Sequence, residues 1–192
     1  MSKKVSTKQL TLAAMLTALS LLITFSPIKL PLPQPFSLTF ASHVPTLIAM
    51  FVSPWVAICT VIGSTAGFFI NLGPVVALRA ASHIFFVLLG VFMLKKRANA
   101  YLTLFLISIV HALAEALVIV LFSDALGFPV DVGNVNFTFI QLGNPMMNYL
   151  FNAVFCLVVF HHTVDVIISV AVLIPLEKAK FFKHTGLLRK KS

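Results

Sequence analysis

One stretch limits the folds open to this chain. From Gly73 to Leu94 it reads GPVVALRAASHIFFVLLGVFML, long enough at about 1.5 Å per residue to cross a bilayer core about 30 Å thick. Its residues are apolar or small except for Arg79 and His83. A cation in a lipid-spanning helix costs at least about 2.5 kcal/mol near the centre, so such a side chain faces protein, water or a ligand. Something must compensate Arg79.

The rest of the chain agrees with a membrane setting. Apolar residues make up 59% of it and charged ones only 10%, a ratio that a soluble surface cannot accommodate at this length. The net charge of +9 would suggest nucleic acid in a soluble domain. Here the charges sit between apolar runs, so membrane lipid is the expected partner and nucleic acid is not. Cys59 and Cys156 lie in different apolar segments, near opposite faces. A disulfide needs Cα atoms about 4.4–6.8 Å apart, so both read as packing residues.

Turn and cap signals divide the chain into spans. The N-terminus has the basic start and apolar middle of a signal peptide. Its small-x-small candidate, Ala18 to Ser20, runs on into more apolar residues, so 10–25 reads as a first span. Four prolines in 26–41 rule out a continuous helix and predict a stiff, extended outer loop lying against the protein. A short second span follows at 42–52, with Pro45 in its first turn. Ser53-Pro54 caps and opens the third, 54–71, and Pro74 opens the fourth, 74–94, which Lys95-Lys96-Arg97 ends. The fifth is 98–122, 123–144 is a polar second outer loop, and Asn144-Pro145 opens the sixth, 145–176. The expectation is a single domain over 1–192, an all-α integral membrane protein with six transmembrane helices.

Six spans put both ends on one side. Lys3, Lys4, Lys8, Lys95, Lys96, Arg97, Lys178, Lys180, Lys183, Arg189, Lys190 and Lys191, twelve of the 14 basic residues, fall on that side. The positive-inside rule therefore makes the N and C termini cytoplasmic. Counting inward at the helical rise, Arg79 lies about 8 Å below the outer face, His83 about 14 Å and Glu115 about 10 Å. His111 is one turn deeper than Glu115 and shares its face. Asn144, Asn148 and Asn152 form a ladder on the sixth span, while His43 and Asn71 sit at outer helix ends. The candidate binding residues are thus Arg79, His83, Glu115, Asn148, Asn152, His43 and Asn71. Each also has a plainer reading: Arg79 and Glu115 as a mutually neutralising pair, the asparagines as caps and interhelical glue. By the same count His161, His162 and Asp165 lie deeper, toward the cytoplasm, and His161 with Asp165 has the i,i+4 spacing of a structural hydrogen bond.

An outward-opening polar hollow with a guanidinium in it suits capture of a small organic acid, since Arg grips a carboxylate through parallel hydrogen bonds. No GxxxxGK[ST] loop is present, so coupling to ATP requires partner subunits. Ala14-Met15-Leu16-Thr17-Ala18 on the first span has the A-x-x-x-A pattern, which lets another helix approach closely. With six spans in a short chain, cytoplasmic termini, a proline-bearing first outer loop and the stretch Phe40-Ala-Ser-His-Val-Pro45, the sequence resembles the substrate-binding S components of energy-coupling factor (ECF) vitamin transporters.

The resemblance implies a subunit that binds a water-soluble vitamin at its outer side. It also implies docking through its first helices, including Ala14 and Ala18, on a transmembrane coupling protein carried by two ATPase subunits. Arg79 favours an acid such as nicotinate or pantothenate. No enzymatic activity, cofactor or resident metal is expected. A nickel or cobalt uptake subunit is the rival reading, since His43, His83, His111, His161 and His162 are many for this length. Against it, the five are expected at widely different depths, and the N-terminal histidine motif of metal-carrying members is absent. An intramembrane hydrolase lacks HExxH and GxSxG signatures.

Overall fold

A computed structural model of the chain describes residues 5–31, 37–122, 124–126, 140–181, 185 and 187. Its first helix, α1 (Thr7–Ile23), starts on a capping box: Ser6 Oγ accepts from Gln9 N at 3.3 Å and Gln9 Oε1 accepts from Ser6 N at 3.2 Å. After it the predicted proline-rich loop 26–41 lies partly outside the described residues, and its described flanks are extended. It also pairs with itself, as strands β1 (Lys29–Pro31) and β2 (Ser37–Thr39) form an antiparallel hairpin with Leu30 opposite Leu38.

The second predicted span is shorter than a crossing. Helix α2 (Val44–Val52) has nine residues, about 14 Å, or less than half a bilayer core. Its C-terminal residues Met50 to Pro54 line a crevice with Lys95 and Arg97, at the basic end of the bundle. Its N-terminus therefore sits well inside the molecule, and Val44 through Met50 are all buried. Ser53 then caps α3 (Pro54–Leu72), its Oγ accepting from Val56 N at 3.2 Å with Pro54 in the first turn. Gly73, at φ 87°, turns the chain into α4 (Pro74–Ala81).

The fourth span is broken at Ser82 before α5 (His83–Lys95). Ser82 Oγ donates to the Arg79 carbonyl at 2.6 Å and its N–H is shared between Leu78 and Arg79 carbonyls, which tightens the turn directly below the arginine. Helix α6 (Ala100–Phe122) follows. Most of the predicted loop 123–144 lies outside the described residues. Asn144 then caps α7 (Pro145–Tyr149), its Oδ1 accepting from Met146 and Met147 N–H groups at 2.9 and 3.2 Å. The sixth span continues through a widened π turn, Leu150–Cys156, into α8 (Leu157–Lys178).

Among the described residues four helical segments are long and apolar enough to cross a membrane: Pro54–Leu72, Pro74–Lys95, Ala100–Phe122 and Pro145–Lys178. Helix α1, at 17 residues, is shorter. It packs against α3 where Gly63 and Gly67 leave no side chain between the backbones. A β-carbon at either would lie under 3 Å from α1, 2.6 Å from the Thr17 carbonyl at Gly63 and 2.8 Å from the Leu21 carbonyl at Gly67. Among the described residues the interior holds two larger apolar clusters and a small one of Phe68, Val76 and Ala80. Of the larger two, one joins Leu47, Val56, Phe86, Val87, Ile107 and Leu173; the other joins Ala112, Ile119, Val154 and Val158. On α6 and α8 the residues between these clusters are polar: His111, His161, His162 and Asp165.

Candidate functional site

Helix α4 directs Arg79 inward, where it is only 3% exposed. Its Nε and one terminal nitrogen donate to Glu115 Oε2 at 3.2 and 2.7 Å. Glu115, brought by α6, turns its other oxygen toward His83 Nε2 and His111 Nε2, 3.7 and 3.8 Å away and too far for good hydrogen bonds. The grouping of Arg79, His83 and Glu115 anticipated from helical rise is present in the structure.

His43 reaches the same place from the N-terminus of α2, its ring 4.7 Å from that of His83 and 4.6 Å from that of His111. It is fixed by Asp165 of α8, whose Oδ2 accepts from His43 N at 3.0 Å and lies 2.9 Å from His43 Nδ1. Asp165 Oδ1 accepts from Ala41 N at 2.8 Å and so holds Ala41 at φ 64°, a left-handed conformation uncommon for a residue with a β-carbon. His161 and His162 lie 5.0 and 5.1 Å from His43, ring to ring.

The expectation that the five histidines spread across the bilayer is therefore overturned. Because α2 is short and starts deep in the molecule, His43 meets the middle of α8 rather than the outer surface. The i,i+4 spacing of His161 and Asp165 is the one sequence signal that groups these residues, and counting rise per residue hides their nearness to His43.

Three predicted residues are engaged elsewhere. Asn71 Nδ2 donates to the Thr24 carbonyl at 2.5 Å, tying the end of α3 to the end of α1. Asn152, on the π turn, accepts from Ile140 N at 3.1 Å and donates to Ile140 O at 2.9 Å. Asn148 accepts from Leu142 N at 3.1 Å. These side chains satisfy backbone at loop ends and are absent from the cleft lining, in keeping with their plainer reading. Ala14 and Ala18 lie on the exposed face of α1, opposite Ala13, Leu16 and Ser20, which are buried.

A cleft opens over the cluster. Leu38 and Thr39 of β2, Ser42, Phe68 and Val76 form its apolar and hydroxyl-bearing rim, and His43, Arg79, His83, His111, Glu115 and His161 its polar part. The free space at its centre is about 20 Å³, enough for a water-sized sphere or one ion. Chemically it offers one guanidinium, one carboxylate and four imidazoles beside apolar side chains, a set that suits a small polar or anionic solute.

Among known proteins, the niacin transporter NiaX of Lactococcus lactis subsp. cremoris (strain MG1363) is 38% identical to this chain over 136 residues, 66% of the chain. The chain is similar to a vitamin transporter. The match spans 60% of the length of that relative. No protein-family model and no solved structure matches. The long apolar helices suit a membrane-spanning protein, and the match to a niacin transporter agrees with the resemblance to vitamin transporters drawn from the sequence. The relative is a transporter, in line with the expectation that this chain is not an enzyme.

Proposed function

We propose that this chain is the substrate-binding S component of an ECF-type importer and that its cargo is nicotinate or a closely similar aromatic acid. The observation that carries this reading is the buried Arg79–Glu115 pair beside a cleft, in a chain 38% identical to a niacin transporter. Glu115 compensates Arg79 while the site is empty. An incoming carboxylate takes over donors of the guanidinium, and the His43, His83 and His111 rings pack beside the flat ring of the ligand. Outward movement of the β1–β2 hairpin over the rim admits it. Admitting a compact six-membered ring requires less widening of the cleft than admitting the longer, branched pantothenate.

The same reading makes six membrane segments with both termini cytoplasmic, α2 being the short one. Ala14 and Ala18 form part of the surface for a transmembrane coupling protein with two ATPase subunits. Binding is tested on the purified full chain by calorimetry. Nicotinate is expected to bind about 100-fold more tightly than nicotinamide, which lacks the carboxylate, a difference of about 2.7 kcal/mol. Equal affinity for the two, or binding of neither, overturns the assignment.

A further inference from the structure

The histidine cluster is larger than an acid clamp requires. Five imidazoles from α2, α5, α6 and α8 meet around His43, and each of the five residues is at most 3% exposed. Among the described residues His43 Nε2, His83 Nδ1, His161 Nδ1 and both ring nitrogens of His111 and His162 have no hydrogen-bond partner. Each such buried polar atom costs about 1–3 kcal/mol, so packing alone is a poor reason to gather them. Asp165 is buried beside them, and its ion-pair partners among the described residues are His43 and His161.

We propose that this cluster binds one divalent transition-metal ion, with His43, His83 and His111 as ligands. One ring nitrogen from each of the three lies within 4.8 Å of the others, and His43 is shared with a second such group containing His161 and Asp165. Ligands around an ion at about 2.0–2.1 Å stand about 3.3 Å apart, so modest ring rotations close the set. Asp165 supplies the supporting geometry: bonded to Nδ1 of His43, it orients the ring and leaves the partnerless Nε2 to face a metal. Three imidazoles with an open fourth position suit zinc, nickel or cobalt. The cleft that these rings line has free space for one ion. The site goes beyond the vitamin reading but shares His43, His83 and His111 with it, so ion and acid are tested separately.

The test uses the full chain, free of any affinity tag, in nanodiscs. After exposure to Co²⁺, Ni²⁺ or Zn²⁺ singly and desalting, elemental analysis is expected to find about one ion per chain, with visible d–d absorption for the cobalt form. His111→Gln removes a ligand without removing any hydrogen bond among the described residues, and should weaken Co²⁺ binding about tenfold or more. A wild-type chain that emerges metal-free, or a His111→Gln chain that holds Co²⁺ as tightly as wild type, overturns the site. Nicotinate calorimetry on the same preparations separates the two readings: metal-free protein that binds the acid sinks the ion and leaves the vitamin assignment standing.

Discussion

Arg79 and Glu115 meet through a single carboxylate oxygen: both measured guanidinium bonds, at 2.7 and 3.2 Å, end on Oε2, while Oε1 faces His83 and His111. A fork-to-fork pairing would occupy both oxygens in parallel. On the proposed reading the pair is a compensated resting state that the acid ligand enters. Glu115→Gln removes the competing charge and keeps a carbonyl acceptor. It should bind nicotinate at least as tightly as wild type, by calorimetry, and lower the thermal midpoint of the empty protein. A loss of nicotinate affinity would show that Glu115 itself holds the ligand.

Breaking the pair from the other side has a different outcome. Arg79→Ala strands a buried carboxylate, a loss of about 3–5 kcal/mol, so the single variant should be poorly folded as well as inactive. Arg79→Met with Glu115→Gln leaves neither charge. This double variant should recover most of the thermal stability of wild type and still fail to bind nicotinate. Recovery of both properties would remove Arg79 from the binding role.

Asp165 holds the turn that delivers His43. Its two oxygens accept from the Ala41 and His43 N–H groups and from the His43 ring. Asp165→Asn replaces one acceptor by a donor and should cost at least about 2 kcal/mol, read as a lower unfolding midpoint and faster hydrogen exchange at 40–43. Ala41→Gly tests the same turn in the opposite direction. At φ 64° a glycine carries no β-carbon penalty, and the substitution should stabilise by about 1 kcal/mol.

Helix ends and the Arg79–Glu115 pair were legible in the sequence for local reasons. Ser53-Pro54 and Asn144-Pro145 open helices as their chemistry requires, and Arg79 and Glu115 meet because two antiparallel helices place equal depths side by side. Legibility fails where a count of rise per residue fails. Helix α2 is a short insert whose start depends on how far the preceding loop descends, so nothing local locates His43 against Asp165. The π turn at Leu150–Cys156 and the break at Ser82 likewise come from packing and side-chain bonds rather than from apolar periodicity. The asparagines are ambiguous in the sequence because a polar residue in a span satisfies loop backbone as readily as it binds a solute, and in the structure all three bond to backbone.

Gly63 and Gly67 let α1 and α3 touch backbone to side chain, with Ser20 Oγ donating to the Thr60 carbonyl at 2.9 Å across the contact. Adding a methyl group at Gly63 meets the Thr17 carbonyl oxygen at 2.6 Å, and that atom belongs to backbone that cannot swing aside. Gly63→Ala should therefore destabilise by about 1–3 kcal/mol, seen as a lower melting midpoint in detergent. An unchanged midpoint would mean that α1 is loosely held.

The opposite face of α1 bears on partner docking. Leu10, Ala14, Ala18 and Leu22 follow one another at four-residue spacing, and all are exposed, while Ala13, Leu16 and Ser20 are turned toward the bundle. Small residues at 14 and 18 leave a shallow groove between two leucines, shaped for a crossing helix. Lipid alone would be served equally well by larger apolar side chains there. Replacing both alanines by tryptophan fills the groove without touching the cleft, which no described residue of α1 lines. Nicotinate affinity of the isolated chain should stay within about twofold of wild type, or 0.4 kcal/mol. Uptake by vesicles that also contain the coupling protein and its ATPases should fall at least about tenfold, matching loss of about 1.4 kcal/mol or more of subunit association. Full uptake by the double variant would place the docking surface elsewhere, and a parallel loss of binding would make α1 a packing element of the site.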